Sequence, residues 1–284
     1  MRRWTSDTGA EHSAQVLAPA SDSLEAAIAA ARQVLGAISD VSTLAVLHAT
    51  NNVVVSAGDF VAKVTTNNAV AHREYLLALH ASSVGAPAFV PVMPPATSDG
   101  FTIVVWPRGA MAATTPRREA AVALRSLQQA WRGFDTRLPT LAARLDEARG
   151  LLRSGELDSV LEPRSAARLD EIVVDGMDAI SDRLTVIHGE PHDGNFVVHA
   201  DRLMVIDFEA ACVGPIEWDA AFFPDDVIVE VWPETHMGLL EQLRVVVSAT
   251  VSAYCWRHLA VRGEDAEMRS HAQSHFDRAI GHGA

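Results

Sequence analysis

One polar segment between short apolar runs constrains the fold of this chain more than any other feature. The segment reads His188-Gly189-Glu190-Pro191-His192-Asp193-Gly194-Asn195, and the β-like run Leu184–Ile187 leads into it. The runs Phe196–His199 and Leu203–Ile206 follow it with the spacing of a β-hairpin. Because polar groups at the ends of short strands meet when a hairpin folds back, the region predicts a site built from loops on a rigid scaffold.

Two oxygen-bearing side chains flank the predicted hairpin. Asn195 and Asp207 lie twelve residues apart, so closing the hairpin brings an amide oxygen next to a carboxylate. Such hard oxygen ligands suit Mg²⁺, which takes only one or two carboxylates and keeps several waters. Glu190 lies five residues before Asn195 and is expected to face the same cavity, where its carboxylate can accept a proton from a substrate hydroxyl group.

Lys63 is the only lysine in the chain, and the other 22 of the 23 basic side chains are arginines. A lone lysine in such a chain indicates a position where the broad guanidinium fork does not fit. Alternation along a β-like run places Lys63 on the face of Val61. Glu74 is the only acidic residue between Val61 and Ser98, and it lies at the edge of an apolar helical stripe, so it is the predicted partner. The alternatives are chance survival of a surface lysine and a solvent-facing Glu74.

The remaining pattern predicts a β-rich part followed by a helical part. Residues 1–20 read as a loose tail, and helices are predicted over Leu24–Leu35 and Ala69–Ser82. Further β-like runs occupy Thr43–His48, Val53–Ser56, Phe60–Thr65, Ala88–Val92 and Phe101–Trp106. After a linker at Trp106–Gly109, helical patterns occupy residues 116–131, 141–153, 164–180, 236–260 and 264–280.

Composition narrows the class of partner. A net charge of -13 argues against nucleic acid and anionic membranes as partners. The N-terminal residues contain no apolar run of the signal-peptide kind, and no stretch approaches the ~18–20 apolar residues of a membrane span. Cys212 and Cys255 are the only cysteines and are expected to be reduced, as in a cytoplasmic protein.

Acidic residues are concentrated in one stretch. Nine Asp or Glu residues and one Arg lie between Asp201 and Leu240. The stretch is typical of a solvated face, and the alternative is a metal-binding cluster with a pocket for a cationic substrate. Acids at Asp225, Asp226 and Glu230 are the candidates for contacts with such a substrate.

These motifs resemble the aminoglycoside phosphotransferase and choline kinase family. Its catalytic loop reads H-x-D-x-x-x-x-N and is followed by a strand and an I-D-[FWY]-[EG] turn, which His188, Asn195 and Ile206-Asp207-Phe208-Glu209 match. The segment Gly214–Asp219 resembles the family's next segment, in which an Asp near a helix start braces the catalytic loop. Asn51-Asn52-Val53 resembles its nucleotide loop.

The resemblance spans about residues 40–260 and implies an α+β, protein-kinase-like, two-lobed fold. A small β-rich N-lobe is expected over residues 21–106 and a larger α-helical C-lobe over residues 107–284. The implied activity is transfer of the γ-phosphoryl group from ATP or GTP, with Mg²⁺, to a hydroxyl group of a small acceptor that can be cationic. A monomer or a homodimer is expected.

The resemblance also implies the residues of the site. Nucleotide contacts are implied at Lys63, Glu74, Asn51, Asn52, Val105 and Trp106. Catalytic and bracing roles are implied at Glu190, His188 and Asp219, and metal ligands at Asn195 and Asp207. Acceptor contacts are implied at His192, Asp193, Glu209, Asp225 and Asp226, although His192 and Asp193 also fit plain loop residues.

Glu190 departs from the family pattern, which has Asp at this position. The extra methylene moves the carboxylate outward by ~1.5 Å, about one C–C bond. Because alignment and electrostatics supply most of the catalysis in phosphoryl transfer, a Glu can serve in a pocket of suitable depth.

The candidate acceptors are an amino-sugar antibiotic, choline or another amino alcohol, homoserine, or a sugar. A non-catalytic nucleotide-binding pseudokinase is the second class.

Zinc chemistry is the remaining alternative for this loop. His188-x-Glu190 begins a zinc deaminase signature, but the required P-C-x-x-C is absent.

Overall fold

The computed structural model describes residues 21–49, 52–111, 115–134, 137–180 and 183–281. The chain divides into two compact units. The first contains the described residues up to Ala71 together with Pro95–Val105, and the second contains His72–Pro94 and the chain from Trp106 onward. The tail expected over residues 1–20 lies outside the described residues.

The first unit is a small antiparallel sheet covered by one helix. Its elements, with the helix that follows the third strand, are α1 (Ser21–Leu35), β1 (Ala45–Ala49), β2 (Val53–Ala57), β3 (Phe60–Thr65), α2 (Asn68–Ser83), β4 (Ala96–Ser98) and β5 (Phe101–Pro107). The strand order is β1-β2-β3-β5-β4, so β3 is central, and α1 packs on β2 and β3. The chain crosses from the first unit to the second within α2.

Local sequence explains most of these elements. Gly58 makes the tight turn of the β2–β3 hairpin with φ +56°, a conformation that glycine adopts without strain. Asn67 caps α2, because its Oδ1 accepts a hydrogen bond from the Val70 N–H at 3.0 Å. β4 was not predicted, since its three residues lie in a segment rich in proline and serine.

The strand predicted over Ala88–Val92 is wrong. Only Ala88 forms a bridge, in parallel with Val205. The Val205 N–H donates to the Pro87 carbonyl at 2.7 Å. Because Pro87 and Pro91 have no N–H to donate, they cannot continue a hydrogen-bonded ladder.

The second unit is mainly helical. Its helices from Arg117 onward are α3 (Arg117–Ala130), α4 (Leu141–Arg153), α5 (Pro163–Ala179), α6 (Ile216–Ala220), α7 (Asp225–Val231), α8 (Met237–Arg262) and α9 (Ala266–Gly281). Its strands are β6 (Ala110–Met111), β7 (Leu184–Ile187), β8 (Phe196–His199), β9 (Arg202–Val205) and β10 (Cys212–Pro215). The long helices and the β8–β9 hairpin are confirmed, whereas β6, β10, α6 and α7 were not predicted. Across the described ranges, no helix is long and apolar enough to cross a membrane.

Two short sheets in this unit set the positions of the polar loops. β8 lies between β6 and β9, and β10 pairs antiparallel with β7. The chain after β9 therefore returns alongside β7, the strand that leads into His188. Helix α8 packs against α5 and α9 and supplies much of the apolar core beneath these loops.

Candidate active site

Asp219 is the buried anchor of the loop that follows β7. Its Oδ2 accepts hydrogen bonds from the His188 N–H and from Gln128 Nε2, both at 2.8 Å, and its Oδ1 accepts one from the Gly189 N–H at 2.9 Å. Trp232 Nε1 donates to Gln128 Oε1 at 2.9 Å, which fixes the orientation of that amide. Burial raises the pKa of Asp219, while the hydrogen bonds that it accepts from His188, Gly189 and Gln128 act in the opposite direction.

Gly189 allows this loop to lie against the segment that follows Asp207. Its φ is +88°, and a Cβ at this position would lie 2.3 Å from the Ala210 carbonyl oxygen. Trp218 Nε1 donates to the Gly189 carbonyl at 2.7 Å. No residue with a side chain fits this close approach, so the contact between the two segments depends on glycine.

His188 links the same two segments through its ring. Nε2 lies 3.0 Å from the Ile206 carbonyl oxygen, which can only accept, so Nε2 carries the proton and donates. Nδ1 accepts the Glu190 N–H at 3.3 Å. Both ring nitrogens are therefore used in structural hydrogen bonds, which supports a bracing role for His188.

The β8–β9 hairpin brings Asn195 next to Asp207. The Ile206 N–H donates to the Asn195 carbonyl at 3.0 Å, and Asn195 Nδ2 donates to the Glu190 carbonyl at 2.8 Å. With Nδ2 engaged in this way, Oδ1 is the atom of the amide that can coordinate a cation. Asp207 begins the next segment with φ +64°, a left-handed conformation that few residues other than glycine adopt.

This pair fits a Mg²⁺ ion held with phosphate oxygens. Within the ranges that the structure describes, no group of three or more His, Cys, Asp or Glu residues could hold a metal. A two-ligand protein site is what Mg²⁺ uses when substrate phosphates and water complete its shell.

Glu190 stands beside Asp207 in an unusual electrostatic environment. Its side chain reaches solvent, but the protein atoms packed around the loop desolvate the carboxyl group and raise its pKa. The Asp207 charge raises the pKa further, while the charge of Arg144 lowers it. A carboxyl group with a raised pKa close to a second carboxylate is typical of a catalytic site.

Glu74 is tied to the segment that carries Asp207. The Glu74 side chain is 3% exposed, and its Oε1 accepts the Phe208 N–H at 3.2 Å. Lys63 is 8% exposed on the central strand β3 of the first unit. The expected pairing of Lys63 with Glu74 stays a prediction.

The other expected nucleotide contacts are spread over both units. Asn52 is partly buried before β2, Val105 is fully buried on β5, and Trp106 packs beside Phe89. Asn51 lies outside the described residues.

Most of the expected acceptor contacts already have protein partners. His192 Nδ1 accepts the Gly194 N–H at 3.0 Å, and Asp193 forms an ion pair of 2.7 Å with Arg117. Asp225 forms an ion pair of 2.6 Å with Arg244, and Glu230 forms one with Arg118. Asp226 is exposed in the first turn of α7. The negative charge that would attract a cationic acceptor is thus partly neutralised.

The sequence did not reveal several residues of this region. The sequence offered one indication of Gln128, which is a polar residue on the apolar, buried face of α3. No sequence pattern indicated Arg73 or Arg144, although both donate to the Glu209 carbonyl, at 3.3 and 3.4 Å. Tyr254 was also missed. It is 40% exposed, but the protein atoms around its ring desolvate the hydroxyl group and raise its pKa, while the Arg144 charge lowers it.

Comparison with known proteins agrees with this architecture. The family model described as "Phosphotransferase enzyme family" matches residues 52–245. The chain is similar to the amicoumacin kinase hAmiN, solved with AMP-PNP, Ca²⁺ and Ami, with a TM-score of 0.71, 10% identity, and coverage of 92% of this chain and 96% of that chain. No curated protein sequence matched the chain.

Two further solved structures show the same architecture. A choline/ethanolamine kinase family protein from Mesorhizobium loti gives a TM-score of 0.61 at 18% identity, covering 92% of this chain and 93% of that chain. A thermostable mutant of aminoglycoside phosphotransferase APH(4)-Ia, with ADP and hygromycin B, gives 0.61 at 14% identity, covering 89% and 98%. The predicted kinase-like α+β fold is confirmed.

Proposed function

Because this chain belongs to the phosphotransferase enzyme family, we propose that it transfers the γ-phosphoryl group of ATP or GTP to a hydroxyl group of a small molecule. The observation that carries the proposal is the joining of two loops around three polar side chains. Asn195 ties Glu190 to the β8–β9 hairpin through its amide, and the same hairpin brings Asp207 beside both. This is the grouping that phosphoryl transfer requires, since the protein mainly aligns reactants and balances charge.

Asn195 and Asp207 are the proposed ligands of Mg²⁺. Held by these two side chains, Mg²⁺ would supply positive charge that stabilises the negative charge developing on the transferred group. The brace from Asp219 through His188 keeps the catalytic loop at a fixed distance from Asp207. Lys63 is proposed to supply the cation for the α- and β-phosphates of the nucleotide, a task suited to a compact ammonium.

Glu190 is the proposed base that positions the acceptor hydroxyl group. Its side chain reaches solvent, so an acceptor can approach it, and its raised pKa brings it nearer to the range in which a carboxylate can take up a proton. Because the Glu190 side chain is longer than the Asp of the family pattern, the proposed acceptor places its hydroxyl group about one C–C bond farther from the loop.

Several classes of acceptor are candidates for this site. The similar proteins are named for amicoumacin, choline or ethanolamine, and aminoglycosides, so one fold serves chemically different acceptors. We retain an amino-sugar antibiotic or a related hydroxylated molecule as the first candidate. Choline or other amino alcohols, homoserine and sugars are the alternatives.

A non-catalytic pseudokinase is the second candidate, and Glu190 is the observation that favours it. Against it, Asn195 and Asp207 are both present and lie together. A chain that had lost catalysis would more often have lost one of its metal ligands.

A phosphorylation screen with mass detection tests the proposal. The protein is incubated with Mg²⁺ and ATP or GTP against aminoglycosides, other antibiotics, amino alcohols, sugars and hydroxy amino acids. A product heavier by one phosphoryl group, formed by wild type and not by Glu190→Gln, supports a kinase. Nucleotide binding without any such product across the panel supports the pseudokinase.

A further inference from the structure

Two arginines from different helices meet next to the catalytic loop. Arg73 is on α2 and Arg144 is on α4, and both side chains are partly buried. Arg73 Nη2 and Arg144 Nη1 donate to the same oxygen, the Glu209 carbonyl, at 3.3 and 3.4 Å. Two guanidinium groups that share one acceptor must lie close together. Burial lowers the pKa of Arg73, the Arg144 charge lowers it further, and the charges of Glu209 and Glu74 raise it.

The described protein leaves most of the donors of this pair without acceptors. No carboxylate in the described ranges forms an ion pair with Arg73 or Arg144, although nine other ion pairs of arginines are present there. The Nε of Arg73 is buried and has no hydrogen-bond partner. Each guanidinium group has five N–H donors, so one shared carbonyl oxygen satisfies a small part of what the pair offers.

The carbonyl group of Glu209 that the pair shares is close to the proposed reaction centre. Ala210 follows Glu209, and its carbonyl oxygen lies 2.3 Å from where a Cβ of Gly189 would be. Gly189 immediately precedes Glu190. The Arg144 charge also lowers the pKa of Glu190, as expected for a cation in the neighbourhood of that carboxyl group.

We propose that Arg73 and Arg144 form an oxyanion site that binds a carboxylate or phosphate group of the acceptor. Planar guanidinium groups bind such groups through paired N–H···O bonds, and an anion between two of them cancels their mutual repulsion. The nucleotide is not the expected source, because its phosphates are assigned to Lys63, Asn195 and Asp207. This proposal rests on the proposed function and, among its candidate acceptors, selects a hydroxylated acid such as homoserine over amino sugars, choline and neutral sugars.

Binding of inorganic phosphate tests the site without any need for turnover. The dissociation constant of inorganic phosphate is measured by calorimetry for wild type, Arg144→Gln and Arg153→Gln. Arg153 is an exposed arginine on the same helix, so its variant controls for the loss of one positive charge. We expect Arg144→Gln to weaken phosphate binding by about 10-fold or more, as for loss of a charged hydrogen bond, and Arg153→Gln to leave it unchanged.

Two further variants keep the binding test decisive. Arg144→Lys keeps the charge but loses the planar fork and is expected to fall between wild type and Arg144→Gln. If Arg144→Gln does not fold, as judged by far-UV circular dichroism, Arg73→Gln takes its place. Phosphate binding that is equal in wild type and the folded variant overturns the proposal.

A matched pair of acceptors identifies the source of the oxyanion. Homoserine and homoserine amide differ in one carboxylate and are compared as acceptors for wild type and Arg144→Gln. We expect the variant to raise KM for the acid and to leave KM for the amide and for ATP unchanged. A raised KM for ATP with either acceptor would assign the site to the nucleotide and overturn the acceptor assignment.

The two proposals fail separately. If Arg144→Gln loses phosphate binding although no acceptor is phosphorylated, the oxyanion site is supported and the kinase proposal fails. If acceptors are phosphorylated while the variant binds phosphate as wild type does, the kinase proposal is supported and the oxyanion site fails.

Discussion

At the scale of single residues, Glu190 combines a proposed chemical role with a cost in stability. Its pKa is raised by desolvation and by the Asp207 charge, so the folded protein binds a proton at Glu190 more tightly than the unfolded chain does. Stability therefore falls as the pH rises from the unfolded pKa through the folded pKa. An ionised Glu190 that lowers stability is what we expect if this carboxylate is kept as the catalytic base.

This environment predicts the pH dependence of activity. Because the ionised carboxylate is the proposed base, kcat/KM should fall as the pH drops below the raised pKa of Glu190. The fall should begin at a higher pH than the ordinary glutamate value of about 4.3. A pH–rate profile measures this limb, and Glu190→Gln should remove both the limb and most of the activity.

The same substitution carries a stability control. At pH 7, where Glu190 would be ionised at a cost, Glu190→Gln should have a Tm at least equal to that of wild type. A clearly lower Tm would show that Glu190 has a structural role and that lost activity cannot be read as lost chemistry.

Lys63 gives a second prediction at this scale. Lys63→Arg keeps the charge but places a broad fork on a central strand where the lysine is 8% exposed. We expect kcat/KM to fall by about 100-fold or more while the circular dichroism spectrum is unchanged, the loss typical when a group aligned on transition-state charge is displaced. Full activity in this variant would show that an arginine serves equally well and that the single lysine at this position is a chance occurrence.

At the scale of elements, one buried carboxylate joins four parts of the second unit. Asp219 on α6 holds the loop after β7, and Gln128 of α3 connects it to Trp232. The loop after β7 is in turn held against the segment after β9 by His188. The geometry around Glu190 therefore depends on the hydrogen bonds of Asp219, Gln128 and His188.

Removal of this carboxylate should cost stability as well as activity. Asp219→Ala leaves three donors, two of them buried, without an acceptor, so we expect the free energy of unfolding to fall by about 3 kcal/mol or more. Urea denaturation measures this change. The control Asp226→Ala, at an exposed position of α7, should stay within about 0.5 kcal/mol of wild type. Equal stability of the two variants would contradict the bracing role.

The elements also show where sequence reasoning stops. The long helices and the β8–β9 hairpin could be predicted because their apolar periodicity and their turn residues are local signals. Helix α7 has only seven residues, too few to show a helical period, and β4 has only three. The predicted strand at Ala88–Val92 failed because Pro91 within it and Pro87 before it cannot donate to a ladder, despite the β-like composition of the run.

The candidate site likewise contains residues that a local sequence pattern predicts and residues that it does not. Glu190, Asn195 and Asp207 could be found because the motif keeps them close in sequence. Arg73 and Arg144 could not, because they meet Glu209 across sequence separations of 136 and 65 residues. Contacts of this kind follow from tertiary packing and leave no local pattern.

At the scale of the whole molecule, family membership and the grouped loop residues support an active phosphotransferase. The fold is shared with proteins named for several acceptors, so the fold alone does not choose one. Two features of this chain bear on the proposed acceptor: Glu190 in place of the Asp of the family pattern, and the arginine pair of the proposed oxyanion site. Neither alters the proposed Mg²⁺ ligands.

The most direct measurement is Mg²⁺-dependent ATP turnover by wild type and by Asp207→Ala, in the presence of the acceptor panel. Wild type should consume ATP and yield a phosphorylated acceptor, and Asp207→Ala should lose at least about 100-fold in kcat/KM while its circular dichroism spectrum is unchanged. A near-wild-type rate in Asp207→Ala, or a wild type that binds nucleotide and transfers nothing, would contradict the account.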